Sequence, residues 1–232
     1  MLPKIDVPIF DLTMPSSKKK VKYIPFTVKE EKILLIAQEG DTPEERLNAV
    51  RQILQNCLID LGQDISTLPS FDVIYAFIKI RSKSIGNILE LAYKDNEDES
   101  VHNFLVNLDD IEVQFPEGHD SDIRLSENLG IKLDYPTIED FERYRNSEDH
   151  ITGVIELVSS CINMIYDQNK VYDPKKYTKE DLMAFIESIP SKDFDKLTNF
   201  FRTMPTIKHT MTYTNTLGKE KTIVLQSLDD FF

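Results

Sequence analysis

Three scarcities bound what this sequence of 232 residues can be. It holds only seven glycines, and no phosphate-cradling glycine loop, GxSxG or HExxH occurs. Its two cysteines, Cys57 and Cys161, fall among apolar residues at helical spacing. That predicts buried free thiols and excludes a disulfide framework or a cysteine-rich metal site. No run approaches the roughly eighteen consecutive apolar residues of a spanning helix, and the opening MLPKIDVPIF lacks the ordered regions of a signal peptide. The expectation is a soluble globular protein, without membrane contact, made in a cytoplasm as one large or two small domains.

What is present is charge, unevenly placed. Residues 95–149 carry 17 Asp and Glu against 4 Lys and Arg, while the rest of the chain carries 23 of each sign. The acidity belongs to one segment, which argues against a general nucleic-acid binder because phosphate affinity needs accumulated cations. The opposite imbalance stands in LTMPSSKKKVKYIPFTVKEEK, where six lysines face two glutamates.

That basic stretch reads as a hairpin running into a helix. Apolar runs at 9–12 and 21–26 flank the turn-like Pro15-Ser16-Ser17, and Lys18, Lys19, Lys20 and Lys22 sit at the start of the second strand, where lysines keep an edge strand from pairing. Thr27 with Glu30 predicts a capping box for a helix that Gly40 stops. Thr42, Pro43 and Glu45 predict a second, with Leu47, Val50, Leu54, Cys57 and Leu61 as its core stripe and Gly62 as its end. FDVIYAFIKIRSKSIG after Ser70 predicts a buried helix, although its β-branched and aromatic content leaves a strand open.

Alternation then takes over. Ile111, Val113, Phe115 and Ile131, Leu133, Tyr135 alternate with polar residues, the pattern of an antiparallel sheet with one solvated face. The acidic loops at 95–100 and 117–122 read as exposed, and His102, His119 and His150 as ordinary surface histidines. Thr137 with Asp140 caps a further helix. Ile151, Val154, Ile155, Val158, Cys161, Ile162 and Ile165 read as one long amphipathic helix; Thr178 with Asp181 and then Ser191 begin two more. Strands at 207–213 and 221–225 close the chain before LQSLDDFF. A free end sheds large apolar groups, so Phe231 and Phe232 either pack back on the domain or dock on a partner.

The fold class predicted is α+β: an N-terminal hairpin with helices at 1–86, an acidic antiparallel sheet region at 87–136, helices at 137–206, and a C-terminal hairpin with aromatic tail at 207–232. No catalytic constellation is organised. Adjacent acids such as Asp109 and Asp110 read as solvated charges. The alternative function from composition alone is a nucleic-acid-binding regulator using the basic hairpin.

Four phrases in order carry a resemblance: LPKIDVPIFDLTMPSSKKKVKYIPFTVKEEKILLIA, FDVIYAFIKIRSKSIG, LDYPTIEDFERY and TMPTIKHTMTYTNTLGKEKTIVLQSLDDFF. Together they resemble the baseplate hub proteins of T-even-type bacteriophages over essentially the whole chain. The resemblance implies a non-enzymatic protein of the virion tail baseplate or the infected host cytoplasm, acting as hub subunit or as assembly chaperone for hub or tape-measure proteins. Its implied partners are other hub or tail proteins, with homo-oligomerisation left open. Some members carry Cys-x-x-Cys pairs in two hairpins, which suggests zinc knuckles. Here those places read LAYKDNEDES and YTNTLGKE, with Thr214 and Leu217 at the second spacing. The expectation is therefore no metal and no cofactor, the hairpins being held by packing and turn hydrogen bonds. Lys18, Lys19, Lys20, Lys22, Phe231 and Phe232 are the expected partner contacts.

Overall fold

A computed structural model describes residues 5–40 and 42–231. Two compact units result, one from the residues up to Gln114 together with those from Thr206 on, the other Phe115–Pro205. The fold is α+β, with small antiparallel sheets throughout.

The first unit opens with β1 (Phe10–Thr13) and β2 (Lys20–Tyr23), paired so that Leu12 faces Val21 and Thr13 faces Lys20. Period-two alternation buries Leu12, Val21 and Tyr23 and leaves Lys20 and Lys22 outside. The capping box at Thr27 starts α1 (Val28–Glu39); its Glu30 is buried and also accepts from Asn56 Nδ2 at 3.0 Å, tying α1 to α2 (Pro43–Cys57). The second helix ends one turn earlier than its stripe predicts. Ile24 N donates to Cys57 O and Ile59 N to Lys22 O, both at 2.9 Å, so the chain peels off the helix to line the outer edge of β2. Leu61 is buried, but beyond the helix rather than on it.

The apolar run after Pro69 is helical, α3 (Ser70–Ile85), and carries the buried Phe77, Ile78 and Ile80. The hairpin of β3 (Ile88–Lys94) and β4 (Val101–Asn107) follows, then the short β5 (Val113–Gln114).

The second unit holds β6 (Asp122–Arg124), β7 (Leu129–Leu133), α4 (Ile138–Arg145), α5 (His150–Ser160), β8 (Ile162–Asp167), β9 (Val171–Tyr172), α6 (Lys179–Glu187) and α7 (Ser191–Thr203). Its strands form a four-stranded antiparallel sheet in chain order. Ile131, Leu133 and Ile165 meet Leu157, Val158, Leu197 and Phe200 in its core. The long amphipathic helix predicted through Ile165 is in fact helix and strand. The β7–β8 register shifts between Lys132 and Leu133, and that irregularity lets Ile162 and Ile165, three apart, both be buried. A strand thus acquires helical spacing.

The chain re-enters the first unit with β10 (Thr206–Ile207), which pairs with β5, and ends with β11 (His209–Thr214), β12 (Glu220–Leu225) and a 3-10 turn, Leu228–Phe231. The alternating segment after residue 87 is therefore not one sheet: β3 and β4 pair with each other, β5 with β10, and β6 and β7 with β8 and β9. Leu89, Val106, Leu108, Ile207, Leu225 and Phe231 share one core cluster.

Candidate interaction surfaces

The basic strip is held rigidly. Ser16 in its turn donates from N at 3.0 Å, and from Oγ, to the carboxylate of Asp72, which is fully buried in the first turn of α3. Burial raises the Asp72 pKa, opposed by the Ser16 bonds. Lys22 N donates to Asp60 Oδ1 at 2.6 Å, and Lys19 Nζ to Leu61 O at 2.6 Å. Lys18 adopts φ +56° in the turn, and all four lysines are exposed. Lys20 and Lys22 share the outer face of β2, while Lys19 is drawn toward the segment that follows α2. The outer edge of β2 is covered by residues 58–60, so the lysines are not guarding a bare edge. Tyr23, the aromatic residue beside them, is 3% exposed and turned inward against Phe10. It is no stacking platform of the kind single-stranded nucleic acid needs.

At the other end of the chain Phe231 is a core residue, fully buried. Its ring packs back on the unit, the first of the two arrangements expected of it. The tail is fastened by Asp230 Oδ2, which accepts from Gln226 N, Ser227 N and Ser227 Oγ at 2.7–2.8 Å. Arg46 pairs with Asp229 at 2.7 Å. Phe232 lies outside the described residues.

The acidic loop at 95–100 is not simply solvated. Asp95 is buried and accepts from Tyr213 Oη at 2.6 Å; Asp98 accepts from Thr216 N and Oγ1, each at 2.6 Å; Glu97 pairs with Lys221 at 2.7 Å and with Lys219. These bonds hold Asp95, Glu97 and Asp98 below the usual carboxylate range, the first through Tyr213, the second through Lys219 and Lys221, the third through Ser100 and Thr216. The tips of two hairpins more than a hundred residues apart are thereby clamped together, with Tyr213 packed on Tyr93, His102 and Phe104. They are the two places where the resemblance implied zinc knuckles. Among the described residues no group of three or more His, Cys, Asp or Glu is arranged to hold a metal ion.

The remaining candidates are structural. Asp109 accepts from Ser82 Oγ at 2.6 Å and pairs with Lys83, which fastens the segment after β4 to α3. The histidines lean on rings: His119 stacks on Tyr135 and lies 5.0 Å from Phe200, with its Nδ1 3.1 Å from Thr203 Oγ1, while His150 meets Tyr144. Burial lowers the His119 pKa, partly opposed by Asp120. Both thiols are buried and free, pushed up to about 12 by desolvation, and so inert as nucleophiles. A recess of about 530 Å³ in the second unit has Arg143, Lys179, Lys175, Asp134, Asp140 and Glu156 in its lining; Arg143 pairs with Asp140 and Lys179 with Glu156.

An α+β protein emerges whose buried carboxylates fasten its own segments and whose unusual features, a basic strip and several exposed aliphatic side chains, lie on outward faces. The chain belongs to the T4 bacteriophage base plate protein family, whose model matches residues 7–232; it is a phage baseplate protein. No curated protein and no solved structure matches it. Among the described residues no helix is long and apolar enough to cross a membrane.

Proposed function

We propose that this protein acts without catalysis in forming the baseplate hub, by binding other tail proteins as a hub subunit or as an assembly chaperone for hub or tape-measure proteins. The observation that carries the reading is the family match over residues 7–232. Support comes from the basic strip: Lys18, Lys20 and Lys22, with Lys19 behind them, project from a hairpin fixed to α3 and to the segment that follows α2. A preorganised cationic face costs little further ordering on association and suits an acidic protein surface. Mass spectrometry of purified virions beside infected-cell lysate tests the reading. A fixed copy number in the particle identifies a hub subunit that remains at the tail. Abundance in the lysate with absence from the particle identifies an assembly factor acting in the host cytoplasm. Failure to co-purify with any tail protein in either fraction overturns both.

A further inference from the structure

The β3–β4 hairpin has two unlike faces. The inner one carries Leu89 and Val106, both buried, and continues through Tyr93, His102 and Phe104 toward Tyr213. The outer one should be polar, by the logic of a half-solvated hairpin, and is not. Leu105 is 73% exposed, Val101 61% and Ile88 49%. The register places Glu90 across from Leu105, Ala92 across from Asn103 and Lys94 across from Val101. Apolar side chains therefore zigzag between the strands, Ile88 to Leu105 to Ala92 to Val101, while Glu90, Asn103 and Lys94 fill the alternate places. Among the described residues no further strand joins this two-stranded sheet.

We propose that this face joins two copies of the chain in an isologous dimer. A two-fold axis lying between the faces, across the strands at the Ala92–Asn103 row, sets the sheets face to face with strands antiparallel. Leu105 then meets Val101 of the partner subunit, and Glu90 meets Lys94 of the partner subunit, each contact occurring twice. Ala92 and Asn103 lie on the axis against their own equivalents. The small Ala92 admits close approach of the sheets, and an amide such as Asn103 both donates and accepts, so it can pair with its own image. Moving the axis one row either way sets Glu90 against Glu90 or Lys94 against Lys94, so charge selects one register. The charges of the face cancel within one copy and complement its own image, which is why a second copy is the occupant. Two-fold closure is also the commonest symmetry of soluble oligomers. Lys94 already touches Glu99 at 3.4 Å, but both groups are largely exposed and the pair exchanges readily. The proposal does not depend on the hub reading.

Sedimentation of the full chain from about 1 to 100 µM is the test, because a face this small gives weak association. A reversible dimer is expected. Leu105→Asp should weaken it at least about tenfold, and so should Glu90→Lys or Lys94→Glu alone, which bring like charges together. The double variant Glu90→Lys with Lys94→Glu should restore association to near that of the parent chain. All these side chains are exposed, so circular dichroism, and melting measured at concentrations where the chain is monomeric, should be unchanged. A chain that stays monomeric throughout, a dimer indifferent to Leu105→Asp, as pairing along a strand edge would be, or a double variant as weak as the singles overturns the proposal.

Discussion

In the first unit the carboxylate of Asp72 reaches Ser16 across 56 residues and that of Asp98 reaches Thr216 across 118. In the second, Asp140, Asp149 and Asp181 each hold a backbone N–H only three residues away. The chemistry is the same, a carboxylate accepting from backbone and hydroxyl donors, but the work differs. Local acceptors stop or start a helix; distant ones close loops that chain entropy would otherwise keep open. The 118-residue span follows from the chain path. The second unit is one continuous segment, whereas the first is assembled from both ends of the chain.

Variants ordered by size can break this comparison. The largest effect is expected from Phe231→Ala, which empties a fully buried site. It should cost about 3–5 kcal/mol and lower the melting transition of the first unit while leaving that of the second in place. Equal loss in both transitions would show that the units do not unfold separately. Asp72→Ala comes next, since it removes a fully buried acceptor and leaves the half-buried donors of Ser16 without it, at about 1–3 kcal/mol. It should loosen the basic hairpin, visible as faster amide exchange at residues 16–23. In the second unit the local counterpart, Thr137→Ala, removes a helix cap and should cost about 1 kcal/mol, confined to α4.

Acid should separate the units more finely. His119 is held neutral by burial, with a folded pKa below its ordinary value of about 6.5. The unfolded state then binds the extra proton, so the stability this group contributes is full above about pH 6.5 and falls as the pH drops below it. Asp95, Glu97 and Asp98 have depressed pKa values, so the hairpin clamp is at full strength above about pH 4.5 and weakens only as the pH falls further. Chemical denaturation between pH 7 and 3 should show the second unit weakening first, and His119→Gln should remove that early loss. Simultaneous weakening, unchanged by His119→Gln, would count against it. The smallest effect is expected from reversing Lys20 and Lys22 to Glu: a stability change within about 0.5 kcal/mol, with capture of tail proteins weakened in pull-downs at low salt. Unchanged capture would remove the lysine strip from the partner surface.

Much of this was legible in the sequence because it is local. Thr27, Thr42, Thr137 and Thr178 each start a helix where their spacing to an acidic residue says they should. Pro69-Ser70 opens α3, and the two terminal hairpins lie where apolar runs flank turn residues. The misreadings share one cause. Ile162 and Ile165 show helical spacing because a register shift in a distant strand pairing allows both to be buried. Leu61 continues a helical stripe that the edge of β2 has already interrupted. Asp95 looks solvated until Tyr213 covers it.

The sequence by itself determined the caps, the amphipathic faces within the helices they start, the inert thiols and the family, since each rests on neighbours within a turn or on phrases in order. Only the tertiary structure decided that Phe231 closes the first unit's core, that the acidic loop clamps the C-terminal hairpin, and that Ile88, Val101 and Leu105 remain uncovered. Those outcomes depend on which segments meet across a hundred residues or more. No local spacing encodes such a meeting, because the burial and hydrogen bonds that fix it arise only once the segments are together.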